Sequence, residues 1–233
     1  MQQAQHPSPP TTPTPPPPAV SAPAVAVRTH PVATSWRTDA KLAPARKRPL
    51  AAEILTLAVE RCLVIGVTGA RGWAEQKSIA AAELALALSE AKHPRVLLVE
   101  SDFHFPQVQK WLSLDVPFTA GFSQQLRGRM DGGRDGRWHV VECKASLHVL
   151  AEGVMRSPGL LLSNQFEQAM RELRGHYDVI VIDAPIAPTE SDGQAISDVV
   201  DGAVVVGPAS RASEIMEVSR IFSGKKLLRV VES

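Results

Sequence analysis

The chain has 233 residues, 44% of them hydrophobic, and carries 25 lysines and arginines against 24 acids. That is enough for one domain of ordinary size plus a tail, and the near-neutral balance excludes a general nucleic-acid binder, which shows a pronounced basic excess. Cys62 and Cys143 stand far apart with no Cys-x-x-Cys or His-rich context, so they read as buried thiols of a reducing compartment rather than a zinc site. No apolar run approaches the ~20 residues of a membrane span. The polar, proline-rich start is not that of a signal peptide. The expected location is the cytoplasm.

Twelve of the nineteen prolines fall within the first 49 residues. Proline removes backbone donors and favours extended polyproline II, so residues 1–49 are expected to form a disordered arm ahead of a domain at 50–233. The distal arm sets Arg37, Lys41, Arg46, Lys47 and Arg48 against the single acid Asp39. This charge suits either docking to an acidic partner or membrane phospholipid, or a solvated linker.

From Leu50 onward, apolar runs alternate with helical patterns. The segments CLVIGVT, RVLLVES, WHVVEC, LHVLAEG, DVIVIDAP, DGAVVVG and LLRVVES read as seven strands. Runs this continuously apolar point to strands buried on both faces of a mostly parallel sheet. Helices are predicted at 78–91, 107–114, 118–126, 158–173, 191–199 and 212–222, with a glycine-rich charged loop at 127–137. The alternation implies an α/β fold with helices on both faces of the sheet. In such sheets ligands bind at the carboxyl ends of the strands.

The candidate chemistry falls at those ends. After the first predicted strand, GARGWAEQ leads into Lys77 and Ser78. In a phosphate-binding loop such a lysine neutralises the β- and γ-phosphates, and the hydroxyl holds Mg²⁺. The second strand ends at Glu100 and Asp102, and the fifth at Asp183 followed by Ala-Pro, the pattern of a metal-facing carboxylate. The competing reading is that these are solvated carboxylates at ordinary strand ends.

In this order the motifs resemble a family. Residues from about 50 to 233 are similar to the cytoplasmic P-loop kinase domain of bacterial tyrosine kinases of capsule and exopolysaccharide synthesis, relatives of the deviant-Walker ATPases. The segments ESDFHFP, GFSQQL, LHVLAEGVMRSPGLLLSN and YDVIVIDAPIAPTESDGQAISDVVDGAVVV carry the resemblance. It implies a P-loop NTPase-like fold. It also implies that Gly72, Lys77 and Ser78 bind nucleotide phosphate, that Ser78, Asp102 and Asp183 hold Mg²⁺ with ATP, and that Glu100 helps deprotonate a tyrosine hydroxyl. As partners it implies a membrane polysaccharide co-polymerase or a cognate kinase, with recruitment to the inner face of the membrane.

Four features depart from the family pattern. The loop has one residue more, keeps Gly72, and lacks both the second glycine and the one before lysine, where Gln76 stands. Those glycines let consecutive N–H groups point at phosphates, often at positive φ. Trp73 and Glu75 fall where triphosphate should lie, and Trp73 is expected to plug that space. Glu100 replaces an aspartate. The first helix, AAEILTLAVE, keeps Glu53 but offers Thr56 and Val59 where the family carries arginines for ring-like self-association. Tyr177 is the single tyrosine, expected to pack rather than accept phosphate, and the chain stops after its last predicted strand without a tyrosine tail. The expectation is a degenerate, pseudokinase-like regulator or scaffold that binds Mg-ATP weakly or not at all. The alternatives are an active ATP-dependent kinase acting on another chain, and a positioning ATPase of the partition type.

Overall fold

The computed structural model describes residues 25–29, 42–91, 94–114, 116, 120–131, 137–152, 159–186, 190–222 and 224–231. Its strands are β1 (Val25–Thr29), β2 (Leu63–Gly69), β3 (Val96–Glu100), β4 (Trp138–Lys144), β5 (Leu147–Leu150), β6 (Val179–Asp183), β7 (Gly202–Val206) and β8 (Lys226–Val231). They form one sheet in the order β1-β4-β5-β3-β6-β2-β7-β8. All neighbours pair parallel except β4 and β5, which form an antiparallel hairpin.

All seven predicted strands are present, and alternation within them feeds two cores. Val179 and Val181 of β6 face one side, Ile180 and Ile182 the other. The first core is covered by α1 (Arg48–Leu57), α2 (Ala74–Ser89) and the short α3 (Val108–Trp111). The second is covered by α4 (Phe122–Met130), α5 (Asn164–Arg174), α6 (Glu190–Val199) and α7 (Ala212–Ile221). Helix α2 is alanine-rich and buried from Ala80 to Ser89, as expected of a helix apolar on every side.

The arm differs from expectation in two places. Val25–Thr29 pairs in register with Trp138 to Glu142 and covers the edge of β4. The segment from Leu42 to Arg48 straps α2. The Ala43 amide donates to Glu83 Oε1 at 2.6 Å, Lys47 pairs with Glu83 at 3.5 Å, and Arg48 pairs with Glu90 at 3.1 Å. Two of the five distal cations are thus engaged by the domain itself. Arg37 and Lys41 lie outside the described residues. The physical reason is that the apolar faces of β4 and α2 need cover, which Val25 and Leu42 of the arm can supply.

Several helices start or stop elsewhere than predicted. Helix α2 begins one turn early, at Ala74. Helix α5 is preceded by a 3₁₀ turn at Leu160–Leu162, and the start of the predicted glycine-rich loop is the last turn of α4. Phe118 and Pro158, predicted helix starts, lie outside the described residues. Helix α1 turns Glu53 and Thr56 to solvent, and Val59 beyond its end is 80% exposed.

Candidate functional site

The turn after β2 is built by helix propensity. Once glycine is absent before lysine, Ala74, Glu75 and Gln76 are ordinary helix formers, and Glu75 in the first turn suits the helix dipole. The chain leaves β2 at Gly69, turns through Gly72 at φ +80°, and enters α2 directly after Trp73. Gly69 leaves little room for a side chain. A Cβ there would lie 3.1 Å from the Val206 carbonyl and 3.3 Å from Lys77 Cβ.

Four amides of this turn and of the start of α2 bond within the protein. Ala70 N–H donates to Val206 O at 2.9 Å, Arg71 N–H to Glu214 Oε1 at 2.6 Å, Trp73 N–H to Ala70 O at 3.1 Å and Lys77 N–H to Trp73 O at 2.9 Å. Trp73 is half-buried and packs against the first core. Gly72 sits at the exposed tip.

Helix α2, β3 and β6 bring four predicted residues together. Lys77 Nζ is fully enclosed, 3.0 Å from Asp102 Oδ2, 2.8 Å from Asp183 Oδ1 and 2.7 Å from the Ala184 carbonyl. Ser78 Oγ donates to Asp183 Oδ2 at 2.8 Å. The Asp183 Oδ1 contact with lysine is short but lies outside hydrogen-bond geometry. Burial alone would push the ammonium down, yet the two aspartates hold it above its ordinary value. Burial pushes the Asp183 carboxyl up, against the opposing pull of Lys77 and Ser78. One lysine serves two buried carboxylates.

Glu100 lies beside this cluster but is tied elsewhere. Its Oε1 accepts from the Gln107 and Val108 amides at 2.5 and 2.6 Å, and Oε2 from the Glu152 amide at 2.9 Å. Glu152 in turn accepts from the Ser123 amide at 3.0 Å. Helices α3 and α4 have no side-chain cap of their own, so two glutamates from strand ends serve as remote caps for their orphan N–H groups. Burial pushes Glu100 to about 7 and Glu152 to about 8, despite those N–H bonds. Glu152 went unnoticed in the sequence, although the rule that singled out Asp183, an acid just past a buried strand, applies to it equally.

Tyr177 is buried, with its hydroxyl 2.9 Å from His148 Nδ1. It sits before β6, at the amino edge of the sheet, away from Asp183 at the other end of that strand.

A phosphate cradle needs several N–H groups aimed at one anion, and the amides of Ala70, Arg71, Trp73 and Lys77 are all occupied within the protein. The acid and hydroxyl set of Ser78, Asp102 and Asp183 does have the hard oxygen chemistry that Mg²⁺ prefers. Among the described residues, no group of three His, Cys, Asp or Glu side chains is placed to hold a metal alone. No described helix is long and apolar enough to cross a membrane.

This sheet order, with a lysine-serine pair after the first three residues of α2, Asp102 just past β3 and Asp183 ending β6, defines a P-loop NTPase-like domain, a fold shared with ParA- and MinD-type ATPases. Within that fold, the chain is similar to bacterial tyrosine kinases and to their kinase domains. "Putative tyrosine-protein kinase CapB" of Staphylococcus aureus is 29% identical over 164 residues, covering 68% of this chain and 69% of that protein. The chimerical protein CapA2B2 superposes with a TM-score of 0.67 at 23% identity, covering 91% of this chain and 94% of that one. The kinase domain of the Escherichia coli tyrosine kinase ETK gives 0.65 at 18% identity, covering 82% and 75%. No protein-family model matches the chain.

Proposed function

We propose that this chain is a tyrosine-kinase-like P-loop protein that works by binding, as a regulator or scaffold in capsule or exopolysaccharide synthesis or export. The observation that carries this reading is the enclosed Lys77, whose ammonium is committed to Asp102, Asp183 and the Ala184 carbonyl while the amides of Ala70, Arg71, Trp73 and Lys77 bond within the protein. Phosphoryl transfer depends on positioned charge around the phosphates, and here the positioned charge neutralises the protein itself. Glu100 acts as a helix cap rather than a base, and Tyr177 as a packing residue. The partner is a membrane polysaccharide co-polymerase or a cognate kinase, met at the inner face of the membrane. That assignment rests on the likeness to CapB and on family analogy.

The second reading is an active kinase acting on another chain, favoured by the convergence of Ser78, Asp102 and Asp183 on one point. A positioning ATPase is the weaker third: Arg71, the basic residue nearest the loop's start, turns its amide to Glu214. Calorimetric titration of the full chain with Mg-ATP and Mg-ADP separates them. The binding-module reading expects no saturable heat up to millimolar nucleotide. Micromolar binding that disappears in Ser78→Ala overturns it in favour of the kinase.

A further inference from the structure

The turn between β2 and α2 is held from outside by two side chains that no motif contains. Arg71 N–H donates to Glu214 Oε1 at 2.6 Å, and Arg211 Nη1 donates to the Arg71 carbonyl at 2.7 Å and to Glu214 Oε2 at 3.3 Å. Both polar groups of a single residue are therefore gripped by one ion pair at the start of α7. Beneath this clasp Ala70 packs closely on the β7–α7 connection. Its amide bonds to Val206 O, and a Cβ on Gly207 would come within 3.2 Å of Ala70 Cβ. On the other side of Arg71 the contacts end. Gly72 takes φ +80° with nothing within 4 Å of a Cβ built there. A residue pinned at both ends of its backbone is followed directly by a free left-handed joint.

From this juxtaposition we infer that the Arg211–Glu214 pair is a latch: it keeps the first turn of α2 wound and the β2–α2 turn closed to polyphosphate, and its release lets the turn open to a magnesium-bound nucleoside di- or triphosphate. The inference rests on the closed turn being the resting state, as in the proposed function, and adds what holds it there. Closure ties the Arg71 amide to Glu214. It also sets the Ala70 carbonyl to receive the Trp73 amide, and Trp73 is the residue from which α2 springs. With the clasp gone, Gly72 supplies the joint about which residues 73–76 unwind, returning a run of amides to the space in front of Lys77 and Ser78. Glu214 and Arg211 are both partly exposed, with side chains 23% and 47% accessible, so a partner bringing a competing charge can reach them. Salt weakens such a pair for the same reason.

Hydrogen exchange read by mass spectrometry on the full chain tests the latch without reference to activity. Wild type is compared with Glu214→Ala, Arg211→Ala and the milder Glu214→Gln, which keeps an acceptor for Arg71 but removes the charge that draws Arg211. The two alanine variants should speed exchange at the amides of residues 71–77 by about tenfold or more, with the glutamine variant intermediate, while α5 is unchanged as the control for local opening. In parallel, Mg-ADP titration should show at least about tenfold tighter binding in Glu214→Ala than in wild type, since opening no longer taxes the affinity. Unchanged exchange at 71–77 in both alanine variants overturns the latch and leaves the proposed function standing. Faster exchange with no gain in Mg-ADP affinity overturns the assignment of a polyphosphate ligand. Tight Mg-ADP binding by wild type overturns the resting closure, and the proposed function with it.

Discussion

The two ends of the sheet each hold a cation against aspartate, and they do so in opposite ratios. At the amino edge, Arg174 bonds to Asp201 at 2.8 Å and to the carbonyls of Cys62 and Val199, while Arg61 reaches the other oxygen of Asp201. Two arginines face one carboxylate, the Val64 amide adds a further bond, and the side chains keep contact with water. Burial pushes Asp201 up, but the Val64 amide and Arg174 outweigh it and hold the carboxyl below its usual value. At the carboxyl edge the ratio is reversed, with one fully enclosed lysine between two buried aspartates, and Asp183 is pushed up rather than down. A fold needing only a staple gains nothing from a surplus buried negative charge, since desolvation makes it costly.

The largest expected effect comes from removing the enclosed lysine. Lys77→Met leaves Asp102 and Asp183 buried without a counter-charge and should cost about 3–5 kcal/mol in urea unfolding. Adding Asp183→Asn should recover part of that loss; additive losses would break the picture of a shared charge. Arg174→Ala removes charge-assisted bonds to a half-buried aspartate and two carbonyls and should cost about 2 kcal/mol. A cost equal to that of Lys77→Met would erase the contrast between the edges.

The remote caps sharpen the comparison through pH. Glu152 binds its proton more tightly folded, at about 8, than an ordinary glutamate does unfolded. Between roughly pH 4.5 and 8 the native state therefore holds more protons, and stability falls as pH rises through that window. Thermal melts of Glu152→Gln should show a shallower decline there, with a gain of about 1–2 kcal/mol at pH 8 that vanishes near pH 5. At the amino edge the sign is opposite. The depressed carboxyl of Asp201 contributes stability above the ordinary carboxylate range, and it is lost only as acid titrates the folded group. The smallest effect belongs to Arg61→Ala, whose side chain is 66% exposed and whose loss should cost less than about 0.5 kcal/mol in the same denaturant series.

Much of this molecule was legible before any coordinates. The seven strands follow from unbroken apolar runs, and Lys77, Ser78, Asp102 and Asp183 follow from acids and a lysine-serine pair placed just after those runs. What escaped were features made by distant chain segments. Val25–Thr29 is too short and too close to proline to read as a strand by itself; it becomes one because the edge of β4 needs a partner. Glu100 looked catalytic by position, but its oxygens are taken by amides that enter from 107, 108 and 152. The early start of α2 was written in Ala74, Glu75 and Gln76, and was obscured by the pull of a loop pattern that those residues no longer follow.

The sequence by itself determined the alternating α/β architecture and the places where chemistry could sit, because burial on two faces and the polarity of strand ends are properties of local composition. Only the tertiary structure decided how that chemistry is used: that Lys77 turns inward to two aspartates, that glutamates cap helices they do not belong to, and that Arg211 and Glu214 grip the turn from across the sheet. A buried charge must find its partner among whatever the fold brings within reach, and the carboxylates that meet Lys77 and Ser78 come from 25 and 105 residues away along the chain.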